Sequence, residues 1–462
     1  MTHEYRIETD SMGDVQVPKN ALYRAQTQRA INNFPLSGIP LPPLFIQTLA
    51  YIKQAAARSN LELGLLEHDK AHAIIDSCQL IIDGQHLDQF PIDTFQTGSG
   101  TSSNMNANEV IATLASIRLG HSVDANDDVN MGQSSNDVIP TAIQVSSALA
   151  CHSLLFPAID HAIETLAERI AAIGDTVKTG RTHLMDAMPI TLGQELAGWQ
   201  TQLLKARKGI EHALEEVTAL AQGGTAVGTG INTAPEFAVI FANNISVSTE
   251  VEFTVSDNFF YNLSSQDAIV ALSGQIKTAA VALMKMSNDL RWMNSGPLAG
   301  LREIELEGLQ PGSSIMPGKV NPVIPESTAM IAAQVIGNDT TITVAGQSGN
   351  FQLNVMLPLI AHNILQSIEL LANGLTVLAD KALATFTVND ATLQQALAKN
   401  PILVTALNPI IGYAKAAAIA KKAYAEQREI IDVAAEETEM SREQLTTLLN
   451  PYHLTQGGVA DQ

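Results

Sequence analysis

Two cysteines in 462 residues, Cys78 and Cys151, are too few for a disulfide scaffold or a thiolate metal site, which suits a reducing compartment. Aromatic residues are scarce too, at 5% against 46% hydrophobic residues. An apolar content carried largely by Ala and Leu favours helix over sheet. Basic residues are the third shortage: Lys+Arg 26 against Asp+Glu 47 leaves a net charge of −21. A field of that sign repels nucleic acid and anionic membranes, so neither is expected as a partner. No apolar run approaches the ~18–20 residues that a membrane span requires. The N-terminal MTHEYRIETD lacks the basic-then-apolar pattern of a signal peptide. A soluble, cytoplasmic protein is therefore expected, long enough to bury a large core and to form more than one domain.

Against those shortages stands one unusual stretch, GSSIMPGKVNP, from Gly312 to Pro322. It has no apolar face at period 2 or 3.6 and reads as a loop. Gly312 and Gly318 permit unusual backbone angles, and Pro317 and Pro322 stiffen what lies between them. Such a loop can gather hydroxyls, backbone N–H groups and the Lys319 ammonium at one spot, as an anionic transition state requires. From composition alone it is equally a surface turn with a chance lysine.

Two upstream stretches have related chemistry. In TGSGTSSNMNANEV, Ser99, Thr101, Ser102, Ser103 and Asn104 crowd the entry of a helix expected from about Asn106. One such residue suffices to cap a helix, so five leave hydroxyls to spare. In QSSNDVIP, Ser134, Ser135, Asn136 and Asp137 precede a long helical pattern. Pro140 fits there only within the first turn, and free N–H groups at the helix start favour a carboxylate. Farther on, TGRTHLMDAMP places Arg181, Thr182 and His183 in a turn before a helix starting near Pro189. A lone loop histidine is more often structural than catalytic. GGTAVGTGINT, at 223–233, is glycine-rich but lacks the spacing and strand context of a nucleotide site, and reads as a tight connection.

Taken together, SSIMPGKVNP, GSGT with SNMN and NEV, QSSND, GRTH and GGTAVGTG resemble the signatures of the fumarase/aspartase superfamily. Within it they resemble the class II, iron-independent fumarate hydratases, and the resemblance runs from SMGDVQVP to LVTALNPIIGYAKAAAIAKKA. GRTH where aspartases have GRTQ, QSSND for QSTND, and MPGKVNP for MPAKVNP separate the chain from the aspartate ammonia-lyases. VIPE after KVNP is common to both. The resemblance implies an all-α, three-domain fold whose very long central helices form the core of a homotetramer, each active site drawing on three chains. It also implies reversible hydration of fumarate to L-malate, a step of the tricarboxylic acid cycle, with no cofactor or metal. The alternatives are aspartate ammonia-lyase activity, or a non-catalytic structural protein on the same scaffold.

Residue by residue, the resemblance makes Ser313 the proton-abstracting base and His183, held by Glu326, the group that activates water. Lys319 and Asn321 would stabilise the aci-carboxylate carbanion. Ser99, Thr101, Thr182, Ser134, Ser135 and Asn136 would fix the substrate carboxylates. At a peripheral dicarboxylate site, Asn126 and Asp127 match the family, but Asp124 stands where a histidine is expected. A carboxylate there should repel a dianion, so binding at that site is not expected.

The remaining pattern is helical. Leu192, Leu196, Trp199, Leu203, Ile210, Leu214 and Val217 fall at steps of three, four or seven. Ile269, Leu272, Ile276, Ala280, Leu283, Met286 and Leu290 repeat that seam, and 351–386 reads as another long helix. The expected division is a mixed, mostly helical segment at 1–133, a long-helix bundle at 134–390, and a small helical domain at 391–462 with a disordered end.

Overall fold

The computed structural model describes residues 4–458. The chain end expected to be disordered, 459–462, lies outside that range. The chain divides into two compact units that interleave in sequence. One comprises the residues up to Pro157, Ala206–Val281 and Ile331–Ala372; the other comprises Ala158–Lys205, Ala282–Met330 and the residues from Asn373 on.

The first unit is built around the helix Pro43–Glu62, which starts with proline at its first position, where a missing N–H costs nothing. Phe45, Leu49, Ile52, Ala55 and Ala56 on it are fully buried. It packs against His68–Ile82, Ser135–Ala150 and Phe237–Thr249. The expected N-terminal hairpin forms from Tyr5–Asp10 and Gly13–Pro18, with Val17 turned into the core.

The seam residues of the long helices are buried in Leu192–Val217 and Asp267–Met293. The third long helix runs Leu357–Leu378 and continues through a π-turn at Ala379–Leu383. A fourth, Val323–Gly346, follows the GSSIMPGKVNP loop directly. In the second unit, Leu403, Leu407, Ile419, Val433 and Leu445 centre a small core of short C-terminal helices.

Two expectations about helices are corrected. Pro140 sits inside the Ser135–Ala150 helix, past the first turn. Its ring leaves the Asn136 carbonyl without its usual i+4 donor. Two helical stretches, Ser135–Ile173 and Asp267–Met293, are in fact long and apolar enough to cross a membrane by length and composition. The most apolar window of the first is 72% buried, as in the core helix of a globular protein.

Candidate active site

In the first unit the helix expected from Asn106 starts earlier, at Thr101, after Gly100 in the left-handed region. Thr101 and Ser102 therefore sit in its first turn, and Ser99 just precedes it. The Ser99 and Thr101 hydroxyls are hydrogen-bonded at 2.8 Å. The preceding strand of chain is pressed against its neighbour: a Cβ on Gly98 would lie 1.7 Å from the Val355 carbonyl oxygen. The Gly98 carbonyl in turn accepts from Leu357 N. Only glycine permits that approach.

Ser134 caps the adjoining helix, accepting from Asn136 N, while Asp137 reaches back to Ser134 N at 2.9 Å, a reciprocal capping box. Asn104 links the two helices by donating to Ser135 Oγ at 3.0 Å. The glycine-rich connection packs on the same helix start. Asp137 Oδ2 accepts from Gly223 N, Thr225 N and the Gln222 amide, and Asn136 donates to Ala226 O. Burial pushes the Asp137 carboxyl up to about 6, against the opposing pull of these donors. One cluster thus places Ser99, Thr101, Ser134, Ser135 and Asn136 in a rigid polar setting.

The second unit holds the other set. His183 lies in no simple turn before a helix: it and Leu184, at φ 55° and 59°, form the two-residue tip of a hairpin between Val177–Thr182 and Met185–Thr191. Positive φ at both positions matches the twist of the flanking strands. The next helix starts at Leu192 instead of near Pro189. A buried charge cluster anchors the first strand. Lys178 contacts Glu195 at 2.7 Å and Glu303 at 2.8 Å, and Arg181 donates to Glu303 at 2.7 Å.

The GSSIMPGKVNP segment is a loop, as expected, closed on itself. Asn321 donates to Gly312 O at 2.7 Å, Gly312 N to Lys319 O at 2.8 Å, and Lys319 Nζ to Asn321 Oδ1 at 2.5 Å. Ser313 Oγ accepts from Met316 N at 3.0 Å and Ile315 N at 3.3 Å. Glu326 occupies the first turn of the following helix. Lys319, Asn321 and Glu326 share a cavity of about 550 Å³ with Asn288, Arg291 and Trp292.

Ser313 and His183 do not line that cavity, and among the described residues no hydrogen bond joins His183 to Glu326 within the chain. Arg291, a second cation beside Lys319, was missed in the sequence. Its only signal was its place at the end of a seam helix, before SGP. At the peripheral site, Asp124 accepts from Asn126 N at 2.7 Å and Asp127 N at 2.9 Å, so it caps the turn that carries both residues.

Comparison with known proteins bears on this arrangement. A lyase family model matches residues 13–337, and a fumarase C C-terminus model matches 403–456. A fumarate hydratase class II of Pseudomonas aeruginosa is 60% identical over 454 residues, covering 98% of this chain and 99% of the relative. The chain belongs to the class II fumarate hydratase family. A Xylella fastidiosa member is 55% identical over 98% of the chain and 96% of its own length. The crystal structure of a class II fumarase from Schistosoma mansoni superposes with a TM-score of 0.95 at 37% identity, covering 98% and 99% of the two chains. The helical fumarase fold expected from the motifs is the fold adopted, and the described sheets are all two-stranded.

Proposed function

We propose that this chain is a lyase catalysing the reversible hydration of fumarate to L-malate. The observation that carries this reading is 60% identity over nearly the full chain to a relative named for that reaction, beside a GRTH motif that contains His183. In the dehydration direction a base takes the proton on the carbon next to one carboxylate. The electron pair passes into that carboxylate as a dianionic aci-form, then returns to form the carbon–carbon double bond as hydroxide leaves the neighbouring carbon and gains a proton. The carbon acid is far weaker than any side chain, so stabilising the dianion carries most of the rate. Lys319 and Asn321 are assigned that task.

Ser313 is the proposed base. Two backbone N–H groups directed at its Oγ favour an alkoxide, which supports the assignment. His183, held by Glu326, is the proposed group that takes a proton from water in hydration and returns one to the leaving hydroxide. Ser99, Thr101, Ser134, Ser135, Asn136 and Thr182 would hold the carboxylates.

The reading includes a homotetramer in which His183 and Glu326 meet across chains. Exposed apolar side chains on the long helices, among them Leu204, Val281, Met330 and Val344, support association. An assay of fumarate formation from L-malate and from L-aspartate tests the function: activity with malate alone is expected, and activity with aspartate alone would overturn it. Mixing His183→Asn with Ser313→Ala subunits tests the shared site, because activity returns on mixing only if the two residues act from different chains.

A further inference from the structure

Among the buried ionisable groups that the proposed mechanism does not use is a lysine. Lys53 lies in the middle of the Pro43–Glu62 helix with no exposed surface. A methionine would fill that space without the cost of burying an amine. Its Nζ donates to Asn130 Oδ1 and Gln133 Oε1, both at 2.9 Å. Two acceptors match the two N–H bonds of a neutral amine, and burial lowers Lys53 to about 7 despite the pull of Asp137 and Cys78.

The bonds continue from Asn130 towards the proposed carboxylate site. Asn130 Oδ1 also accepts from Asn108 at 3.1 Å and Asn104 at 3.3 Å, while its own amide N–H donates to the Gln133 carbonyl at 3.1 Å. Asn104 uses its second amide hydrogen on Ser135 Oγ. The direction of this chain is set at its buried end. Gln133 gives its own amide N–H groups to Val129 O and Met131 O, and Asn130 commits an amide N–H to the Gln133 carbonyl, so both side-chain amides present their oxygens to the lysine N–H groups. The Asn130 oxygen demands N–H groups from Asn104, and Asn104 then meets Ser135 as a donor. A hydroxyl that accepts from its neighbour keeps its own proton to give elsewhere.

We infer that Lys53 is a positioning residue for substrate binding: through Asn130 and Asn104 it orients the Ser135 hydroxyl to donate its proton to a substrate carboxylate. The inference rests on the proposed role of Ser135 as a carboxylate ligand. Without the lysine, the Asn130 oxygen loses its nearest donor and the amide can turn over at the cost of its bond to the Gln133 carbonyl. Asn104, whose own oxygen has no partner among the described residues, can then follow, and Ser135 can spend its proton on it.

The test compares Ser135→Ala, Lys53→Met and the double variant, in the intact assembly, by KM and kcat for L-malate. Lys53→Met is expected to raise KM about tenfold, the loss of one hydrogen bond to a charged group, with kcat changed less than about threefold. Ser135→Ala should do the same, and the double variant should be no worse than either single one, because both remove a single interaction. A merely structural lysine would alter thermal stability without this KM-selective, non-additive pattern. An unchanged KM in folded Lys53→Met beside a raised KM in Ser135→Ala overturns the inference alone. An unchanged KM in Ser135→Ala overturns the carboxylate reading and the inference with it. If Lys53→Met does not fold, Lys53→Gln replaces it, since its amide can present either sense. KM is then expected to rise severalfold, and an unchanged value overturns the inference.

Discussion

The two units build their polar groups in opposite ways. In the first, Ser99, Thr101, Ser134 and Ser135 stand at helix starts backed by hydrogen bonds from or to buried Asn104, Asp137 and Lys53 and their neighbours. In the second, His183 sits at an exposed hairpin tip, and Ser313 and Lys319 lie on a loop whose Ile315 is 82% exposed. Groups that only bind can be rigid and supported from behind. The groups proposed to move protons sit on exposed segments, of the kind that can close over a substrate and release it. The contrast suggests that substitutions in the loop and hairpin should cost rate, while those in the helix-start cluster should cost affinity or stability.

The largest effect expected is in the loop. Ser313→Ala should lower kcat by about 10²–10⁴-fold with little change in KM or thermal stability, measured by steady-state kinetics and melting. His183→Asn should lower kcat by about 10²-fold, again without a stability cost. A large loss of stability in either would erase the contrast between the units.

Gly98→Ala tests the opposite pole. With a Cβ forced to within 1.7 Å of Val355 O, the backbone must shift. A loss of about 3 kcal/mol is expected in denaturant titration at fixed protein concentration. The buried lysine adds a pH signature. Its folded value of about 7 lies below the ~10.4 of an unfolded lysine, so the unfolded chain binds more protons between those values. Stability should fall as pH is lowered from ~10 to about 7 and then level off, and Lys53→Met should remove that part of the slope. The smallest effect belongs to the cap: Ser134→Ala should cost ~1 kcal/mol of stability together with a higher KM.

Much of the site was legible because its residues are contiguous and compositionally odd. GSSIMPGKVNP could only be a loop, and the seams from Leu192 to Val217 and from Ile269 to Leu290 could only be amphipathic helices. The errors came where tertiary context outweighed local preference. Pro140 is tolerated inside a helix because its surroundings are fully buried and packed. His183 adopts a left-handed conformation, uncommon for a non-glycine residue, which the strand pairing on both sides imposes. Asp124, in sequence a charge expected to repel a dianion, also caps the backbone of Asn126 and Asp127, a role that only the fold displays.

The amino-acid sequence by itself determined the family, the helical class and the short segments that carry the chemistry, because periodicity and motif composition are local properties. Only the tertiary structure decided that Arg291 shares a cavity with Lys319, that Glu303 holds Arg181, and that a lysine eighty-two positions before Ser135 is joined to it through two asparagine amides. The sense of such a chain depends on which donors meet which acceptors across four segments. No periodicity encodes those meetings; packing creates them.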